Sequence, residues 1–369
     1  MKKFFLYLVI SFSLLITSCN NFGKDLFSKK SAKEVYVETL KKKDPLLVTA
    51  WESAGQFALD NPFKLMDSYA EYGTTNTGVA DANAYLINVK PGQQVIATYV
   101  TDSLTMPAFL EIWTPREAGR NLLVSADSIT KTANYFSVAG GDYIVKFQPK
   151  IESKTTYTLN IQLAAGLDYP IDTKAKSNIG SLWGDPRDGG GRKHEGIDIF
   201  AARGSNILAI ADGTIGYLDE TEIGGKVVSL RPKGQNFSIY HAHLDEQLVQ
   251  SGQQVTKGQI IGTVGNTGNA KTTAPHLHMG IYTNGGAVDP LYYVKKTSKL
   301  PTINSKKLRE KLKFTSTAVL YPGPATKIPY TNKGGFIAVT EGYANSFYRV
   351  RLEDGSKGFV KEADYKKAK

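Results

Sequence analysis

The sequence predicts a mainly β, multi-domain protein, and three observations carry that expectation. The chain has 369 residues, room for two or three domains at roughly 100–200 residues each. Glycine occurs 35 times, a supply of turns that suits strands joined by short loops better than a helix bundle. Short apolar runs recur along most of the length, separated by turn signals such as Pro91-Gly92, Gly140-Gly141, Asp212-Gly213 and Asp354-Gly355. Composition also excludes several classes. Hydrophobic residues make up 41% and include 20 Tyr and 16 Phe, which rules out global disorder. One cysteine rules out an intrachain disulfide framework and a Cys-based zinc finger. The formal charge of +11 is spread along the chain without an Arg-rich block, so nucleic acid is not an expected partner.

Residues 1–18 read as a lipoprotein signal peptide. Lys2 and Lys3 give a positive start, and Phe4 to Ile16 is an apolar run too short for a spanning helix. Ile16-Thr17-Ser18-Cys19 resembles the bacterial lipobox, in which the thiol is acylated and cleavage occurs before it. Cys19 is therefore the expected lipidation site, and two acyl chains would hold the mature protein on a membrane of the bacterial envelope. The alternatives are a plain signal peptide with an incidental cysteine, or an uncleaved anchor. Losing Lys2 and Lys3 lowers the charge from +11 by two, to +9.

Residues 19–72 read as a polar tether followed by a short helical segment. Leu47, Trp51, Ala54 and Ala58 have helical spacing, and Asp60-Asn61-Pro62 would stop the helix. Residues 73–165 carry seven strand-like runs, from Ala84–Val89 to Thr155–Leu163, with clean alternation in Tyr157–Leu163; this predicts a β-sandwich. It resembles the jelly-roll-like accessory domains beside secreted bacterial peptidases. Residues 166–296 open on a linker and continue as a β-rich domain. Residues 297–313 form a basic linker. Residues 314–369 again have strand-like runs and resemble a small SH3-like barrel.

All five histidines fall between residues 194 and 278, in three short motifs. These are His194-Glu195-Gly196-Ile197-Asp198, Tyr240-His241-Ala242-His243-Leu244 and Pro275-His276-Leu277-His278. Residues i and i+2 of a strand share a face, so His276 and His278 can converge, and so can His241 and His243 if both lie on the strand. Two imidazoles and a carboxylate with one open position make a common catalytic zinc site. His194-Glu195-x-x-Asp198 also has the look of a helical His-Glu-x-x-His metalloprotease motif. Gly196 is a poor helix former, and Ile197, Ile199 and Phe200 favour a strand, so Glu195 reads as a bystander. Gly262–Gly268 lacks the Gly-Lys-Ser/Thr ending of a phosphate loop and reads as tight turns beside the cleft.

Residues 180–294 closely resemble the lysostaphin/LytM-type zinc endopeptidases, also called glycyl-glycine endopeptidases, which cleave peptidoglycan peptides. The matching stretches are Trp183–Asp188, His194-x3-Asp198, Tyr240–Leu244, Gly252-Gln-x-Val255-x-x-Gly258, Gly262–Gly268, Pro275–His278 and Asp289-Pro290. The resemblance implies that His194, Asp198 and His278 hold Zn²⁺, while His243 and His276 are catalytic without binding it. His241 stands where family members often carry tyrosine and reads as a packing or surface residue. Zinc would polarise the scissile carbonyl and acidify water. One imidazole would take the water's proton and return it to the leaving amine, and the other would stabilise the oxyanion; which does which stays open. The expected function is a zinc metallo-endopeptidase acting on peptidoglycan. A non-catalytic activator of another wall hydrolase is the alternative. A biotinyl-type carrier, prompted by Gly252–Gly262, fails for want of a methionine-flanked lysine.

Overall fold

Period-2 alternation does what the sequence leads one to expect between residues 73 and 165. In the computed structural model, which describes residues 30–101, 107–295, 299–305, 308 and 311–366 except 325, 328, 330, 333 and 334, seven strands form there. The expected signal peptide and the expected lipidation site, Cys19, lie outside the described residues. No helix among the described residues is long and apolar enough to cross a membrane.

Contacts divide the chain into residues 1–48 and residues 49–369. In the first, the helix Ala32–Lys43 begins where a tether was expected. Ser31 and Glu34 form a reciprocal capping box, and Lys41, Lys42 and Lys43 complement the carbonyl end of the helix dipole. The expected second helix runs Pro45–Asp60 and ends before Asn61-Pro62. Its buried Trp51 donates Nε1–H to the carbonyl of Pro149 at 2.7 Å, and Gln148 returns a bond to the Trp51 carbonyl at 2.7 Å.

Two sheets face each other over a shared apolar core. One has the order Phe63–Leu65, Asn83–Val89, Gly141–Pro149, Ala108–Trp113, Leu122–Ser125. The other runs Lys357–Lys361, Phe347–Arg351, Ile337–Ala344, Tyr69–Thr74, Thr156–Ala165, Gln93–Thr101, Thr132–Phe136. Tyr85, Ile87, Val95, Leu110, Val145, Phe147, Leu159 and Ile161 fill the space between them. In Thr156–Ala165, Tyr157, Leu159 and Ile161 point inward while Thr158, Asn160 and Gln162 stay half-exposed.

The structure corrects two boundaries. The sandwich starts before residue 73, because Phe63–Leu65 and Tyr69–Thr74 belong to its sheets. The C-terminal strands do not stand apart as a small barrel: Ile337–Ala344 pairs antiparallel with Tyr69–Thr74, Tyr72 opposite Tyr343. The reason is shared burial. The Phe359 ring meets Phe63 edge-on at 5.1 Å. Arg349, 1% exposed, reaches both carboxylate oxygens of Glu71 at 2.8 and 3.1 Å and Glu341 at 2.7 Å. A guanidinium at that depth is tolerated only with its charge matched, and half of that match comes from the N-terminal side of the sandwich.

The third sheet carries the histidines. Its order is Ser177–Ser181, Ile197–Ala201, His276–Thr283, Phe237–Gln247, Gly225–Pro232, Gly213–Thr221, Gln254–Val255, and Ile260–Val264 also pairs with Phe237–Gln247. Ile197, Ile199, Leu277, Met279, Ile281 and Ile239 point into one core. Residues of the opposite parity, Asp198, Phe200, His276, His278, Tyr240 and Tyr282, line a cleft on the other face. Behind it, Tyr293 packs edge-on against Phe136 of the sandwich at 6.0 Å and Phe237 at 5.6 Å.

Candidate active site

Strand register builds the centre of the site. Asp198 and His278 are directly opposed on neighbouring antiparallel strands, and Ala242 opposes His278 from the other side. The small side chain of Ala242 leaves room in front of His278. His194 comes from the loop before Ile197–Ala201, which is a strand, so the helical reading of His194-Glu195-x-x-Asp198 does not apply. Glu195 is exposed on the rim. Gly196 is needed between the two ligand candidates: a Cβ there would lie 2.6 Å from His278 Cε1 and 2.6 Å from the Met279 carbonyl oxygen.

Three ligand atoms form a tight triangle. His194 Nε2 and His278 Nδ1 each lie 3.0 Å from Asp198 Oδ1, and the two nitrogens lie 2.9 Å apart. His194 Nδ1–H donates to the Leu182 carbonyl at 2.8 Å, which leaves Nε2 as a lone pair in the neutral ring. Lone-pair nitrogens and an anionic oxygen at this spacing repel one another unless a proton or cation lies among them. The donor set fits a tetrahedral N/N/O cation such as zinc. Burial alone would raise the Asp198 carboxyl, but the His194 and His278 rings 3.0 Å away outweigh it and hold the group well below the usual range. Burial pushes His278 below an ordinary imidazole. Both shifts favour the metal-binding forms, carboxylate and neutral ring.

Arg187 was not singled out from sequence. Its Nη2 donates to Asp198 Oδ2 and to Ser181 Oγ, each at 2.7 Å, so the second carboxylate oxygen is held away from the triangle. The only signal for it lay inside the Trp183–Asp188 stretch; a spacing of eleven residues from Asp198 says nothing by itself.

Two further imidazoles face the same cleft. The rings of His243 and His276 are 5.0 Å apart, and His243 is 5.9 Å from His278. His243 Nδ1–H donates to the Thr267 carbonyl at 2.9 Å, and His276 Nδ1–H to the Ala274 carbonyl at 2.8 Å. In both rings Nε2 is left as the available base. Burial, reinforced by His276 and His278, pushes His243 down to about 4. The glycine-rich run borders the cleft as turns: Gly268, at φ +68°, lies against Gly225, where added Cβ atoms would meet backbone at 2.2 and 2.5 Å.

His241 and His243 do not share a face. His241 is fully buried on the core side, while His243 lines the cleft. Its packing role matches the reading from sequence; the i, i+2 convergence of this pair does not occur, because the strand is bulged between them.

The cleft measures about 500 Å³ and is walled by Phe200, Ile223, Tyr240 and Tyr282, with Arg187 and Arg192 along its edge. Comparison with known proteins places this segment. An L-Ala–D-Glu endopeptidase of Bacillus subtilis is 33% identical over 129 residues, 33% of this chain and 39% of that protein. The murein hydrolase activator NlpD of Escherichia coli is 39% identical over 106 residues, 28% of this chain and 26% of that protein. The catalytic domain of lysostaphin from Staphylococcus simulans is 31% identical, covering 33% of this chain and 94% of that one, with a TM-score of 0.30. The chain spans only about a quarter to two fifths of the length of the curated relatives it matches. Residues 192–290 match the family described as Peptidase family M23.

Proposed function

We propose that the protein is a metallo-endopeptidase that hydrolyses peptide bonds in peptidoglycan. The observation that carries this reading is the convergence, in one cleft, of the His194/Asp198/His278 triangle with two imidazoles whose Nε2 atoms are free to exchange protons. A zinc ion held by His194, Asp198 and His278 would supply Lewis-acid polarisation of the scissile carbonyl and acidification of water. Arg187 keeps Asp198 in place through Oδ2. Of His243 and His276, one takes a proton from water at Nε2 and delivers it to the leaving amine, and the other donates to the oxyanion. The Thr267 and Ala274 carbonyls, by accepting the Nδ1–H bonds, leave Nε2 of both rings as the base; the ring facing the oxyanion donates to it as an imidazolium, after its Nε2 has taken up a proton. The test is digestion of a defined cross-linked muropeptide followed by mass spectrometry, with zinc present or chelated. No zinc-dependent loss of substrate overturns the reading.

The relatives named as murein hydrolase activators support a second reading, a non-catalytic activator. The complete triangle and both further histidines favour the enzyme. The lipid anchor at Cys19 would keep the protein at the bacterial envelope, near its substrate. Cys19→Ala should abolish acylation and membrane partitioning in a bacterial host; unchanged mass and partitioning of this variant refute the anchor.

A further inference from the structure

His241 takes no part in the chemistry proposed above, yet it is the most deeply buried imidazole of the five, with 0% exposure. It sits in an apolar environment beside Ile239, opposite Met279 and Val228. Its Nδ1–H donates to the Val228 carbonyl at 3.1 Å. Its Nε2 is buried with no hydrogen-bond partner among the described residues. An unpaired polar nitrogen in such a place costs desolvation energy that phenylalanine or leucine would not incur. The cost calls for a return elsewhere.

The return lies in the backbone just beyond it. Phe237, Ile239 and His241 face the core in strict alternation, and the next core position by parity would be His243. Instead Leu244 takes the core position. Val228 opposes His241 and Lys226 opposes Leu244, so the strand carries one extra residue across from Val227. His243 absorbs it by adopting φ +64°, a left-handed conformation unfavourable for any residue with a Cβ, and its N–H goes to the Gly224 carbonyl at 2.8 Å. Without this bulge the His243 ring would point into the core beside His241.

We propose that His241 is a positioning residue: its bond to the Val228 carbonyl clamps the last regular strand pair before the bulge and so holds His243 in the cleft. The inference rests on the functional reading above for its kinetic consequences, but the geometry it asserts is independent of activity. Burial, which pushes His241 down to about 4, keeps the ring neutral, with Nδ1 as its donor and Nε2 bare.

The test compares His241→Phe, His241→Leu and His241→Asn in the full chain. Phe and Leu keep apolar bulk and remove the donor; Asn keeps an N–H near the Nδ1 position. Zinc content should stay at the wild-type level in all three. With a muropeptide substrate, kcat should fall roughly 10- to 100-fold in the Phe and Leu variants at nearly constant KM, the cost of a misplaced proton-transfer group, and Asn should restore most of it. A second readout needs neither metal nor turnover: ¹⁵N-histidine NMR should show the Nδ1–H tautomer of His243 in the wild type and Asn variant, and its loss in Phe or Leu. Should Phe fail to fold, Leu against Asn decides. Equal kcat in Leu and Asn with an unchanged His243 signal overturns the proposal. So does loss of zinc in step with kcat, which would place the role of His241 at the metal triangle. If the wild type cleaves no muropeptide, the functional reading fails and the NMR comparison still decides this one.

Discussion

Gly196→Ala should empty the proposed metal site by adding a single methyl group. A Cβ at residue 196 would sit 2.6 Å from His278 Cε1, 2.8 Å from His278 Nε2 and 2.6 Å from the Met279 carbonyl oxygen. Ordinary contacts of this kind begin about 0.8 Å further out, near 3.4 Å, so something must move. The Met279 oxygen belongs to a central strand, and the His278 ring is held against Asp198 and His194, so neither gives way freely. The easier displacement is that of the 194–198 segment, which carries His194 and Asp198 two residues to either side. All three ligand candidates then lose register. Disturbing a residue that merely orients a metal ligand costs about 10–100-fold in affinity, or roughly 1.4–2.7 kcal/mol; displacing two ligands should reach the upper end or pass it. The assay is competition for zinc against a fluorescent chelator at neutral pH, with urea unfolding run on the metal-free protein to separate folding from binding. A zinc affinity within two-fold of wild type would refute the reasoning, because it would mean that the triangle tolerates a shift of most of an ångström.

His278→Ala should lose zinc, whereas His243→Ala and His276→Ala should keep it and lose roughly 10²–10⁴-fold in rate; near-normal rates in both of the latter, with metal bound, contradict the assignment. Arg349→Ala should destabilise the fold by about 3–5 kcal/mol, because it strands the buried Glu71 without its cation and leaves Glu341 only Arg351 and Lys357; a urea midpoint close to wild type would show that the joint between the C-terminal strands and the sandwich does not depend on that charge. Stability of the metal-free protein should fall in two acid stages. His241 and His243 are held at about 4 against 6.5, so the unfolded chain gains protons that the folded chain refuses as pH drops from about 6.5 to 4. Glu341, held at about 2 by Lys357, Arg349 and Arg351 against its burial, adds a further loss between about 4.5 and 2. Urea midpoints at stepped pH measure both stages, and a flat profile between pH 7 and 4.5 contradicts the first.

Local patterning determined much of this protein. Alternation and turn residues predicted seven strands in 73–165, the number found, because a half-buried strand must repeat every two residues wherever its neighbours lie. His276 and His278 could be put on one face for the same reason, and Gly196 with its β-favouring neighbours ruled out a helix around Asp198. Tertiary structure decided what depends on partners distant in sequence. Glu71 lies 278 residues from Arg349, and nothing near either residue reveals that they share one buried ion cluster, so the C-terminal strands could only be read as a separate unit. The role of Arg187 needed the packing of its guanidinium against Asp198. The bulge at His243 is the sharpest case. Period-2 reasoning sends His241 and His243 to the same side, and one extra residue, accommodated against Val227 and Gly224, sends them to opposite sides. A bulge is a property of two strands in register, and one strand's sequence does not contain it.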